Sequence, residues 1–259
     1  MAGLGTGRLA NKLFGSLQKQ DLVSGADLTL KKLGIKGKIF CVSMQRNGTS
    51  SVGDFLEQYG LKRIGSPISN KKRWPIKWLQ GDFESIFNDK DFIDVDILED
   101  DPWWFPEFYK YVFHRFPGSK FILLNRDADA WFKSMVRHSN GFSIGQTELH
   151  AKLYRRENEF NWLKENIADF GQNRSQEMVL YDKAQHYKAV YEQYNREVKA
   201  FFNAVSPDAL FSEQLNDKDL WPKLAKWLKI PSSYSITPAH AHKGKGKFTQ
   251  EHLLMKRTK

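Results

Sequence analysis

Residues 39–42, Ile-Phe-Cys-Val, form a continuous apolar run in a chain otherwise mixed in polarity, predicting a short strand covered on both faces. Residues 45–51 are then small and polar. Val52, Phe55, Leu56 and Tyr59 follow at helical spacing before Gly60, predicting a helix over about residues 50–59. Residues 61–64 predict a second strand. Residues 65–81 carry Ser66-Pro67, Asn70 to Arg73 and Trp74-Pro75, which read as a basic, aromatic loop. Residues 92–98 alternate apolar side chains with aspartates and predict a third strand, ending in Glu99-Asp100-Asp101-Pro102. An apolar helix over 103–116 closes at Pro117-Gly118. The strand KFILL (120–124) then leads through Asn125-Arg126-Asp127 into a helix containing Trp131, Met135 and Val136.

Beyond Gly141 the pattern turns helical and charged. Long helices are predicted over 149–170 and 184–205, the second with Tyr187, Val190, Tyr191, Tyr194 and Val198 on one face, a stripe typical of core. A last short strand falls at 209–212, and a final helix carries Trp221, Leu224, Trp227 and Leu228. Residues 22–33 predict a short helix before Gly34. Alternating strands and helices with short connections predict a three-layer α/β/α fold around a mostly parallel sheet. Ligands of such folds sit beyond the strand C-termini, so the loop at 45–51, the acidic cluster and Arg126 are expected to converge. One domain over 1–259 is expected: an N-terminal extension (1–35), a core carrying the motifs (36–136), a helical part (137–237) and a basic tail (238–259).

Composition narrows the chemistry. The net charge of +10 suits an anionic partner: nucleic acid, an acidic membrane, a polyanionic substrate or a phosphorylated cofactor. Cys41 is the only cysteine, which excludes intramolecular disulfides and cysteine-rich zinc sites. It reads as a small buried hydrophobe. The seven histidines (His114, His138, His150, His186, His240, His242, His252) lack metal-ligand spacing, and most read as surface or polar-rim residues, so no metal is expected. No apolar run reaches membrane-spanning length, and the N-terminus has no signal-peptide core, so a soluble, cytoplasmic protein is expected.

Strand, small polar loop, helix is how a chain presents backbone N–H groups to a phosphate. This loop lacks the first glycine and the lysine of a nucleotide-triphosphate loop; its cation, Arg46, precedes Gly48 instead. Arg126 and Ser134, eight apart across the next strand-to-helix junction, can face one anion. Asp100 and Asp101 are either a general base or caps of the helix predicted at Trp103. A small-molecule or nucleoside kinase on this scaffold, and a non-catalytic polyanion or nucleic-acid binder, remain alternatives.

Arg46-Asn47-Gly48-Thr49-Ser50-Ser51 after a strand resembles the 5′-phosphosulfate loop of sulfotransferases that use 3′-phosphoadenosine 5′-phosphosulfate (PAPS). The stretch 121–135, FILLNRDADAWFKSM, is similar to their 3′-phosphate motif. Residues 100–104 and 116–120 resemble the same region of the bacterial and lower-eukaryotic branch. The resemblance covers residues 36–136 and implies a P-loop-like fold and in-line sulfuryl transfer from PAPS to a hydroxyl or amine, leaving 3′-phosphoadenosine 5′-phosphate (PAP) without a metal. It implies a small-molecule or carbohydrate acceptor, and no nucleic acid. It assigns Arg46 to the phosphosulfate bridge, Asn47, Gly48, Thr49, Ser50 and Ser51 to the 5′-phosphate, and Arg126 and Ser134 to the 3′-phosphate. Asn47 and Ser51 replace commoner loop residues, Ala128 stands where proline is frequent, and Asp100 occupies the place of a histidine base in many members, with Asp101 beside it. Lys243 and Gly244, in the tail, resemble part of the loop that closes over the 3′-phosphate.

Overall fold

The computed structural model describes residues 28–170 and 178–234. Five strands form one sheet in the order β2-β3-β1-β4-β5, every neighbouring pair parallel. They are β1 (Ile39–Cys41), β2 (Arg63–Ile64), β3 (Ile97–Leu98), β4 (Lys120–Asn125) and β5 (Leu210–Gln214). Alternation along the strands divides the interior in two. Phe40, Leu98, Phe121 and Leu123 enter one core; Ile39, Cys41, Ile97, Ile122 and Leu124 enter the other. The continuous apolar runs in the sequence therefore reflect a sheet covered on both sides.

Helix α1 (Thr49–Glu57) packs on the second face through Val52, Phe55 and Leu56, together with α11 (Leu220–Trp227) through Leu220 and Leu224. The first face holds α6 (Phe108–Arg115), α7 (Ala128–Ser139) and α10 (Ala184–Val205) around a large aromatic cluster. In it Phe40 lies 5.3 Å from Trp103 and 5.5 Å from Phe121, and Trp131 stacks on Tyr191 at 4.3 Å. The tyrosine stripe of α10 is core, as its spacing predicts. Cys41 is fully buried, its thiol pushed up to about 12 by burial.

Several stretches differ from the sequence reading. Residues 65–81 hold two short helices, α2 (Ser66–Lys71) and α3 (Trp74–Leu79), each with proline in its first turn, where the missing N–H costs nothing. Residues 92–98 are not one strand: α5 (Lys90–Asp94) occupies their start, capped by Asp89 accepting from the Asp91 N–H, and β3 is two residues long. A preceding helix, α4 (Glu84–Phe87), also lay outside the strand pattern. The helix predicted from Trp103 begins only at Phe108, because Pro106 has no N–H and disfavours helical backbone at Phe105. Residues 149–170 form two helices, α8 (Thr147–Leu153) and α9 (Glu157–Asn166), broken by a left-handed Arg155 at φ 55°. Of the helix expected over 22–33, residues 22–27 lie outside the described residues; Thr29 to Gly34 make turns, with Leu28 and Leu33 buried.

The break has a polar reason. Arg156 turns inward and donates to the Tyr187 hydroxyl at 2.6 Å and the Val179 carbonyl at 2.8 Å, and pairs with Glu159. His150 is fully buried beside it, an exception to the surface or polar-rim reading of most histidines. The Ile144 N–H donates to its Nδ1 at 3.1 Å, which leaves the Nε2 proton for the Tyr187 hydroxyl at 2.7 Å. Burial, then Arg156, lowers the His150 pKa to about 3. The folded state therefore keeps the ring neutral where an unfolded chain protonates it, so this contribution holds above pH ~6.5 and is lost as pH falls toward 3. Between pH 7.5 and 5 the wild type should lose about 2 kcal/mol more unfolding free energy than His150→Gln in urea titrations. Equal losses would remove His150 from the acid response.

Candidate active site

The C-terminal ends of the strands open onto a cleft of about 1360 Å³. That exceeds the ~300–1,000 Å³ usual for one small ligand, and leaves room for two reactants. The sheet order arranges its walls. The loop after β1 brings Gln45, Arg46 and Gly48, continuing into Thr49, Ser50 and Ser51 of α1; the loop after β3 brings Asp100 and Asp101; the loop after β4 brings Arg126. Segments far apart in sequence thus meet here, as the strand–helix pattern predicts. At the β5 edge the wall is Leu215 to Lys218 with Trp221; at the β2 edge it is Ser66, Asn70 and Arg73.

The loop after β1 is built to expose backbone donors. Arg46 and Gly48 both take left-handed backbone, at φ 70° and 76°. The positive φ of Gly48 favours glycine, and a Cβ there, 2.6 Å from Leu215 Cδ1, would also have to displace that side chain. Gly48 is the N-cap of α1 and supplies no capping side chain, and the first turn contains no acid. Its N–H groups, together with the helix dipole, therefore favour an anion at the cleft. Beneath the loop, Arg63 donates to the Ser50 carbonyl at 3.1 Å and pairs with Asp54, Glu57 and Glu99. Gly53 makes room: a Cβ there would stand 2.6 Å from both Arg63 Nη1 and Glu99 Oε1. Burial pushes the Glu99 carboxyl up to about 8, against the pull of Arg63.

Asn47 serves the loop from inside. Its side chain is buried, donates to the Met44 carbonyl at 3.0 Å and accepts from the Tyr191 hydroxyl at 3.1 Å. What Asn47 can offer an anion is backbone, not its amide. Tyr191 also accepts from the Arg126 N–H at 2.9 Å and lies 3.2 Å from the Arg126 carbonyl. One hydroxyl thus joins the loops after β1 and β4. Trp131 adds a second link, its indole N–H donating to the Gln45 carbonyl at 3.0 Å. Ser134 meets Arg46, which donates to its Oγ at 3.4 Å.

Arg46 and Arg126 are partly buried and their charges oppose each other. Burial lowers the pKa of both, and Arg46 is lowered further by Arg126 and Arg137. Neither has a carboxylate within salt-bridge distance among the described residues. Arg126 Nε is buried without a hydrogen-bond partner. Two adjacent, un-neutralised guanidinium groups beside a free helix N-terminus suit a ligand with more than one negative charge.

Across the cleft, Asp100 holds left-handed backbone at φ 67°. Neither aspartate caps a helix, since none begins at Trp103; instead the Trp104 indole donates to Asp101 Oδ1 at 2.7 Å. Burial raises both pKa values; the Asp100 charge raises Asp101 further, while Arg46 restrains Asp100. The pair thus titrates above the usual carboxylate range, as a general base near neutral pH requires. Of the aromatic segments, Trp74, Trp78, Trp103 and Phe105 are core, and Trp104 reaches the cleft.

Sequence reasoning missed Gln45, Arg73, His138 and the segments at 144–153 and 215–222, which line the cleft. It also missed the Tyr191 tie, although a buried tyrosine hydroxyl usually finds a partner. Lys243 and Gly244 lie outside the described residues. Among the described residues no acid, histidine and cysteine cluster suits a metal, and no helix is long and apolar enough to cross a membrane. A family model described as a sulfotransferase domain matches residues 38–245, most of the chain, including every strand and the whole cleft. Comparison with curated proteins gives no match.

Proposed function

Because the chain belongs to the sulfotransferase domain family, we propose that it transfers the sulfuryl group of PAPS to the hydroxyl of a small-molecule or carbohydrate acceptor, releasing PAP. The observation that carries this reading is the pair Arg46 and Arg126, neither in a salt bridge among the described residues and both presented to the cleft by neighbouring strand ends together with the α1 N-terminus. PAPS has anionic groups at both its 5′ and 3′ positions, which matches two cation sites joined through one hydroxyl. Family membership favours sulfuryl transfer over a kinase, as does a loop whose cation is an arginine before the glycine.

PAPS supplies a sulfuryl group bonded to a phosphate that leaves readily. The N–H groups at the start of α1, with the Thr49 and Ser50 hydroxyls, hold the 5′-phosphate. Arg126 and Ser134 hold the 3′-phosphate. Arg46 faces the bridge and stabilises the charge that builds on the phosphate oxygen as the S–O bond breaks. The ionised member of the Asp100–Asp101 pair takes the acceptor's proton while its oxygen bonds to sulfur, so one S–O bond forms as the other breaks. Positioning in the cleft supplies the rest of the acceleration.

Thermal-shift measurements should show PAP raising the melting temperature well above the shift given by AMP. Arg126→Ala should erase that preference, whereas Arg46→Ala should chiefly slow transfer. Equal and negligible shifts for PAP and AMP would end the PAPS reading. For the base, kcat/KM should rise with pH through a midpoint above the ordinary carboxylate range, since only the ionised form accepts a proton. Asp100→Asn should lower kcat about 10²–10⁴-fold and flatten that rise. A rise of unchanged size in the variant would assign the base elsewhere.

A further inference from the structure

Resting on the PAPS reading of the cleft, we propose that His138 is a further anion-binding residue, meeting a phosphate of the nucleotide beside Arg46 and Arg126 and taking up a proton as it does so. His138 follows Ser134 by one helical turn on α7, so the two share a face, and Ser134 is the residue that meets Arg46. The ring is exposed on the cleft and has no hydrogen-bond partner among the described residues. It is therefore available to a ligand.

Arg46 after β1 is the charge that acts on the ring; the cleft it opens onto also carries Arg73, Asp100, Asp101, Arg126, Asp217 and Lys218, and Arg137 precedes it on α7. Ile144, Gly145 and Gln146, which also line the cleft, add no charge. The surrounding protein, then the Arg46 charge, holds His138 below its ordinary value. In the free protein the imidazole is thus neutral near pH 7. This spares the cleft a further permanent cation where Arg46 and Arg126 already repel.

A bound phosphate dianion reverses the local potential and favours the imidazolium. The proton comes from solvent, and the ring then donates a charge-assisted hydrogen bond to a phosphate oxygen. Histidine here is a cation produced on demand. The sequence pattern hid this role, because a lone histidine in an amphipathic helix resembles any surface residue.

Calorimetric titration of PAP in two buffers of different ionisation enthalpy reads the proton directly. At pH 7.5 the wild type should take up a fraction of a proton on binding. His138→Gln should lose most of that uptake and bind PAP about tenfold more weakly at pH 6.5, with little change at pH 8.5. His138→Lys, a permanent cation, should recover the affinity at both pH values without the uptake, which separates charge from a structural effect. Wild-type uptake and affinity in His138→Gln, or a lysine variant no tighter than the glutamine one, would overturn the assignment and leave the PAPS reading standing. Failure of the wild type to bind PAP would overturn both.

Discussion

The Tyr191 hydroxyl, buried between two loops, sets the geometry on which the cleft depends. It accepts the Arg126 N–H and faces both the Asn47 amide oxygen and the Arg126 carbonyl. Those loops follow β1 and β4, paired neighbours in the sheet, and each presents one arginine to the cleft. Strand pairing fixes the loops' starting points, but a loop is free to drift beyond its last ladder bond. A buried hydroxyl that loses a partner costs ~1–3 kcal/mol, and that penalty opposes drift. Trp131 stacks on the same ring and holds the Gln45 carbonyl, so the tie is clamped on its apolar side as well.

This rigidity has an electrostatic use. Two guanidinium groups that repel each other, neither in a salt bridge among the described residues, are unfavourable in the free protein, and the fold must enforce their proximity. A ligand with two anionic groups relieves that repulsion, so the interactions are oriented before it arrives. Opposite them, Asp100 and Asp101 are held together under partial burial, which keeps a proton acceptor active nearer neutral pH. Positive and negative groups come from different strand ends; Arg46 holds the Asp100 pKa down, but no salt bridge joins the two among the described residues. The buried His150–Tyr187–Arg156 network steadies the remaining wall through Ile144.

Much of this was legible in the chain. The apolar runs of β1 and β4 announced a sheet covered on both faces, and the rule that ligands gather at strand C-termini brought Arg46, Asp100, Asp101 and Arg126 together before any geometry was known. Local chemistry that competes with a longer pattern was less legible. Asp89 caps α5 at the start of a stretch whose alternation imitates a strand, and Pro106 delays the helix that the apolar run from Trp103 predicts. Residues that act through tertiary contacts were hidden for a different reason. Tyr191 sits in a regular core stripe, and nothing in its spacing distinguishes the hydroxyl that crosses to Asn47, 144 positions away. Asn47 itself sits in the loop motif, yet its side chain faces inward to hold the loop.

The most direct measurement is the affinity of Tyr191→Phe for PAP, read beside the variant's own unfolding free energy. Phenylalanine keeps the stacking on Trp131 and removes only the hydroxyl. If one tie aligns both cation sites, the folded variant should bind PAP about tenfold more weakly, as loss of one buried hydrogen bond implies. A folded variant that binds PAP as tightly as the wild type would contradict the account.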